Sequence, residues 1–139
     1  MKPVILARSR RRLSAALPRP AALARMGLGT MILAAGVHKL IAPLAWTAYV
    51  VDWLAPLLVV SPRTFMLVNG VLEIGFGVAL VVDRLTAVSA AVAAVSLTVT
   101  TAYLAVVAAT GGGLYADVMI RDIGLSGLAW AVLADALGE

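Results

Sequence analysis

Four long apolar stretches dominate the chain, each about as long as a bilayer's hydrocarbon core is thick. A spanning helix needs about 20 mostly apolar residues, and such runs occupy 21–41, 63–82, 85–109 and 119–137. Of the 139 residues, 63% are hydrophobic and 13% are charged. Soluble domains run at roughly 45–50% apolar and about 25% charged. A globule of this size keeps too much surface wet to hide so many apolar side chains in water. The expected fold is an all-α integral membrane protein, a bundle of four transmembrane helices in one domain over 21–139. A basic segment over 1–20 precedes it.

The stretch 43–61 is harder to read. It is apolar enough to cross, but it contains Pro43, Asp52 and Pro56. Trp46, Tyr49 and Trp53 recur at helical spacing, and Trp and Tyr concentrate where membrane meets water. A short interfacial helix with these aromatics on one face is expected. A fifth span is the alternative.

Charge sets the orientation. Lys2, Arg8, Arg10, Arg11, Arg12, Arg19 and Arg25 all lie before or at the start of the first run. A cationic block beside an apolar span is a cytoplasmic topology signal rather than a nucleic-acid site, and it also suits anionic headgroups. With four spans Arg84 joins these seven cations, leaving Lys39, Arg63 and Arg121 outside. The expectation is a multi-pass plasma-membrane protein with both termini cytoplasmic. Ser9-Arg10-Arg11-Arg12-Leu13 faintly resembles a twin-arginine export signal. Several spans follow it, so the first run reads as a retained helix.

Absent residue types remove whole classes of chemistry. No cysteine is present, which excludes disulfides, thiol redox steps and thiolate metal sites within this chain. Two axial haem histidines cannot come from one copy, because His38 stands alone. No nucleotide loop, catalytic triad or metal motif occurs. No catalytic residue or metal ligand is assigned, and the chain is not expected to be an enzyme on its own.

Glu73 is the most informative residue. It lies ten positions from Arg63 and ten from Asp83, roughly 15 Å from either end of its helix at about 1.5 Å per residue. A charge near the bilayer centre costs at least about 2.5–3.5 kcal/mol unless paired or hydrated, so Glu73 should face the bundle interior. Asn69, one turn earlier, shares its face. Gly70 and Gly77 add room beside it, and Gly27, Gly29 and Gly36 let another helix approach the first span closely. The carboxylate is either a proton-active or ligand-binding group, or a structural ion pair.

Lys39 is its candidate partner. It stands about 21 Å up the first helix from Arg25, with a stem long enough to reach down to Glu73 or up to water. Arg121 and Asp122 adjoin at the start of the fourth run. The helix dipole favours Asp122 there but opposes Arg121, so a carboxylate, Glu73 or Asp117, is expected beside Arg121. His38 is either a metal or proton-shuttle group or a hydrogen-bonded interfacial residue. Ser96, Thr100 and Tyr103 form one polar seam, and Asp122, Ser126 and Trp130 another, both suited to interhelical hydrogen bonds.

Three motifs together resemble a known family. Gly36-Val37-His38-Lys39-Leu40 with Pro43 closes the first helix, Asn69-Gly70-Val71-Leu72-Glu73 sits in the second, and Arg121-Asp122-Ile123-Gly124-Leu125 opens the last. In this order, over roughly 25–137, they resemble the DoxX family of small prokaryotic four-helix membrane proteins. The resemblance implies a polar interior lined by His38, Lys39, Glu73, Arg121 and Asp122. Relatives of the DoxD type are subunits of a thiosulfate:quinone oxidoreductase, and others associate with oxidative-stress and thiol-handling proteins. The fold is also similar to that of vitamin K epoxide reductase, whose cysteine mechanism cannot be carried over to a chain without cysteine.

These readings converge on an accessory or membrane-anchor subunit of a quinone-linked redox system. No cofactor is required, and a quinone or lipid headgroup is the candidate ligand of the polar cluster. Membrane lipid is the expected partner, with a redox protein or a second copy beside it. A ligand-free assembly factor or scaffold and a small oligomeric transporter are the alternatives.

Overall fold

The computed structural model describes residues 2–138, with side chains over 7–138. Among these residues every regular element is helical: α1 (Lys2–Ala16), α2 (Pro20–Ile41), α3 (Pro43–Thr47), a single 3₁₀ turn (Ala55–Leu57), α4 (Pro62–Val81), α5 (Thr86–Gly111) and α6 (Gly113–Gly138). Three of them, α2, α4 and α5, are long and apolar enough to cross a membrane. The 26-residue α6 is equally long. It differs in charge, since every 18-residue stretch of it contains three of Asp117, Arg121, Asp122 and Asp135.

Helix starts follow local chemistry. Pro20, Pro43 and Pro62 each open a helix, where the missing N–H has no intrahelical partner to lose. Ser61 caps α4 by accepting a hydrogen bond from the Thr64 N–H at 3.2 Å, as an N-cap serine should. Ala42, just before Pro43, is pushed out of helical geometry to φ −132°, ψ 61°, and the chain turns sharply at the end of α2.

The four long helices pack mainly as two pairs, α2 with α4 and α5 with α6. Glycine brings the first pair to backbone contact. A Cβ on Gly36 would lie 2.7 Å from the Gly70 carbonyl oxygen, and one on Gly77 would lie 2.6 Å from the Leu33 nitrogen. Gly29 meets Leu80 and Val81 in the same way, whereas Gly27 has open space and plays no part. The pairs join near the start of α2, where Leu28, Ile32, Leu80, Ala90, Ala93, Ala94, Ala129, Val132 and Leu133 form the core.

The same end carries a tight turn between α4 and α5. Asp83 and Leu85 both adopt positive φ, 58° and 54°. Arg25 holds this turn from α2, donating to the carbonyls of Leu80 and Val81 and pairing with Asp83 at 3.3 Å. A cation on the last carbonyls at a helix C-terminus is favoured by charge and by hydrogen bonding. At the opposite end, α5 and α6 are separated by Gly112 alone, with φ 88° and ψ −164°.

Three expectations need correction. First, α6 begins six residues before the expected 119, so Asp122 lies well inside the helix and the dipole at a helix start does not explain it. Second, the expected interfacial helix is only the five-residue α3, followed by turns. Trp46 is therefore helical while Tyr49 and Trp53 are not, and the three do not share a helical face. Third, the connection expected between the runs ending at 109 and starting at 119 contracts to Gly112 alone, with Gly111 and Gly113 both helical.

Candidate functional site

The polar residues of the first pair of helices meet where the glycines bring α2 and α4 together. Gly36 and Gly70 let the backbones touch, which sets Lys39 opposite Glu73. The Lys39 ammonium lies 2.6 Å from each carboxylate oxygen of Glu73. Lys39 is only 5% exposed, and the Glu73 side chain is 24% exposed. Of its two available directions, the Lys39 stem therefore takes the one down to the carboxylate. Asn69 adds a long contact from Nδ2 to the same carboxylate at 3.5 Å.

A roof of aromatic groups covers the ammonium. The turn at Ala42–Pro43 folds α3 back so that the Trp46 ring centroid lies 4.1 Å from Lys39 Nζ, well within cation–π range. The Trp46 indole N–H donates to His38 Nδ1 at 2.8 Å, which leaves the imidazole proton on Nε2 in the neutral ring. Tyr49 packs against Trp46 at 6.1 Å between ring centroids. Trp53 stands apart, edge-on to Tyr103 at 5.8 Å.

Tyrosines from the second pair of helices hold the segment that carries this roof. Tyr103 on α5 donates its hydroxyl proton to the Tyr49 carbonyl at 2.6 Å and accepts from the Val51 N–H at 3.3 Å. Tyr115 on α6 donates to the Ala48 carbonyl at 3.1 Å. The outer face of α2 beside His38 carries a shallow open groove of about 430 Å³, lined by Thr30, Leu33, Ala34, Val37, His38 and Ile41.

Arg121 does not join Lys39 and Glu73. Its Nε and Nη2 bond Oδ1 of the adjacent Asp122 at 3.0 and 2.9 Å, and neither Glu73 nor Asp117 forms an ion pair with it. The Arg121 side chain is 59% exposed, while Asp122 is 4% exposed. Ile32 and Ala129 share the core, and Lys39 and Asp122 each lie seven residues from them toward the other end of the bundle. At about 1.5 Å per residue both sit about 10 Å along the bundle. The six residues expected to form one cluster thus divide: His38 is joined through Trp46 to Lys39, which pairs directly with Glu73 beside Asn69, while Arg121 and Asp122 pair on α6.

The expected seam on α5 is shifted. Ser126 meets Thr101 at 3.2 Å, and Trp130 donates to Thr98 at 3.0 Å, so Thr98 and Thr101 take the places expected for Ser96 and Thr100. Threonine is easily overlooked here because its hydroxyl can bond its own helix. Thr98 and Thr101 do so, donating to the carbonyls of Ala94 and Leu97, each at 2.7 Å.

The DoxX family model matches residues 21–114. The chain belongs to the DoxX family. The match covers α2 to α5 and the whole linked group of His38, Lys39, Asn69 and Glu73, and it stops before Arg121 and Asp122. No curated protein and no solved structure matches the chain. The DoxX membership and the apolar helices α2, α4 and α5 together make this a membrane protein. What can be assigned from geometry is an ion pair deep among DoxX helices, with an aromatic cover tied to the opposite helix pair.

Proposed function

We propose that this DoxX protein is a non-catalytic accessory or anchor subunit of a quinone-linked redox system in the plasma membrane. In this reading α6 is the fourth span, and both termini are cytoplasmic. The excess of cations on the side of α1 and the α4–α5 turn supports that orientation. The observation that carries the redox reading is His38. Its Nδ1 is engaged by Trp46, so its Nε2 keeps a proton to donate, and the residue lines an apolar groove open to lipid. Apolar walls with one placed polar group suit a quinone ring and one of its carbonyls. Lys39 and Glu73 would support that donor from behind, through Trp46. The residues fit one carbonyl of such a headgroup. Arg121, on the other helix pair and engaged with Asp122, takes no part in this contact.

The test is extraction of protein purified in mild detergent, followed by mass spectrometry of bound lipid. Quinone should co-purify with the unaltered protein and be depleted in His38→Ala, with thermal stability nearly unchanged. Protein free of quinone, and a host redox phenotype indifferent to both His38→Ala and Glu73→Gln, would rule the reading out.

A scaffold without ligand is the second reading, favoured by the closed geometry of the ion pair, whose ammonium reaches both carboxylate oxygens. It predicts that Glu73→Gln impairs folding and partner recovery together, while His38→Ala leaves both intact.

A further inference from the structure

Among the described residues α1 makes no substantial packing contact with the other helices, and it is strongly basic. At about 100° per residue, Arg8, Arg11 and Arg12 fall within one sector of about 100°. Leu13 and Leu17 project from the opposite side, with Arg10 beside Leu17. Leu17 still belongs to this turn, because its N–H bonds the Leu13 carbonyl at 3.2 Å. Both leucines are exposed, at 65% and 63%. Arg8, Arg10, Arg11 and Arg12 are all exposed, and none of them forms an ion pair among the described residues. No acid stands near them in sequence, since the first acidic residue of the chain is Asp52.

Three residues, Leu17, Pro18 and Arg19, separate α1 from the first apolar span. The end of α1 is therefore held at the bilayer surface by its own chain. A basic helix with exposed leucines, tethered beside a span, suits a membrane interface, where the long stem of Arg10 can lie along the apolar boundary and carry its guanidinium to the headgroups. We propose that α1 docks on anionic phospholipid, with Arg8, Arg11 and Arg12 on the headgroups and Leu13 and Leu17 entering the acyl boundary. Nucleic acid would match the charge but leave both leucines in water. The proposal rests on the chain crossing a bilayer and is independent of any redox role.

The absence of cysteine makes the test direct. Leu13→Cys is labelled with an environment-sensitive fluorophore and reconstituted into nanodiscs of phosphatidylcholine, with or without phosphatidylglycerol. The label should be blue-shifted and shielded from an aqueous quencher only when phosphatidylglycerol is present, and added salt should reverse this. Replacing Arg8, Arg11 and Arg12 by glutamine should weaken docking by roughly fivefold per residue. If that variant does not fold, the salt titration of the singly labelled protein decides. Equal accessibility in both kinds of disc, or shielding insensitive to salt, overturns the proposal. So does an oligonucleotide that binds while the label stays exposed in the anionic discs.

Discussion

Lys39 Nζ is 2.6 Å from both carboxylate oxygens of Glu73, across two helices whose backbones touch at Gly36 and Gly70. Removing one member of a buried pair strands the other, at a cost of about 3–5 kcal/mol. Lys39→Met and Glu73→Leu should therefore each lower the unfolding midpoint in detergent strongly. The double variant should recover most of the loss, because neither charge is then left alone. A double-mutant cycle measures this coupling, and simple additivity of the two losses would show that the pair is not an energetic unit.

The glycines of α2 should divide sharply in their tolerance. A side chain at Gly36 collides with the backbone of α4, while Gly27 has nothing within 4 Å. Gly36→Val should abolish a monodisperse product in size-exclusion chromatography. Gly27→Ala should leave the protein intact and raise its melting temperature slightly, since alanine gains up to about 1 kcal/mol over glycine within a helix.

Tyr103→Phe removes the hydroxyl that both donates to Tyr49 and accepts from Val51. Each hydrogen bond contributes about 0.5–1.5 kcal/mol. Amide exchange across 48–54 should accelerate by about tenfold with little change in global unfolding. Unchanged exchange there would mean that the aromatic cover is held by other contacts.

Two neighbouring residues in the α4–α5 turn should respond with opposite signs. Leu85 is held at φ 54°, a region that costs a residue with a Cβ about 1–2 kcal/mol. Leu85→Gly should raise the melting temperature. Asp83 has a similar φ but also pairs with Arg25 and accepts from the Thr86 hydroxyl at 2.7 Å. Asp83→Gly should gain in backbone freedom and lose more in the missing carboxylate, so the melting temperature should fall.

Much of the helical layout was readable because lipid enforces long apolar runs and because proline marks helix starts. Ser61 and Pro62 place the start of α4 within one residue of expectation. The start of α6 was missed for the converse reason. Gly113 and Asp117 look like loop residues, yet Gly112 alone reverses the chain. The place of Glu73 midway along its helix and the identity of Lys39 as its neighbour both follow from simple helix arithmetic. The role of Trp46 does not. Its position over Lys39 depends on the reversal at Ala42–Pro43 and on tyrosines more than 50 residues away in sequence. Arg121 was misassigned because a long, flexible side chain can fold back on the adjacent residue, which spacing along a helix does not suggest.

The single-residue reversal at Gly112 leaves no slack between α5 and α6. Loss or gain of one residue at that corner would turn the following helix by about 100° about its axis. Asp122, now enclosed, would be swung toward the acyl chains, and Thr101 would lose Ser126. Natural length variation should thus be tolerated in the longer connection after α3 and refused at this hinge.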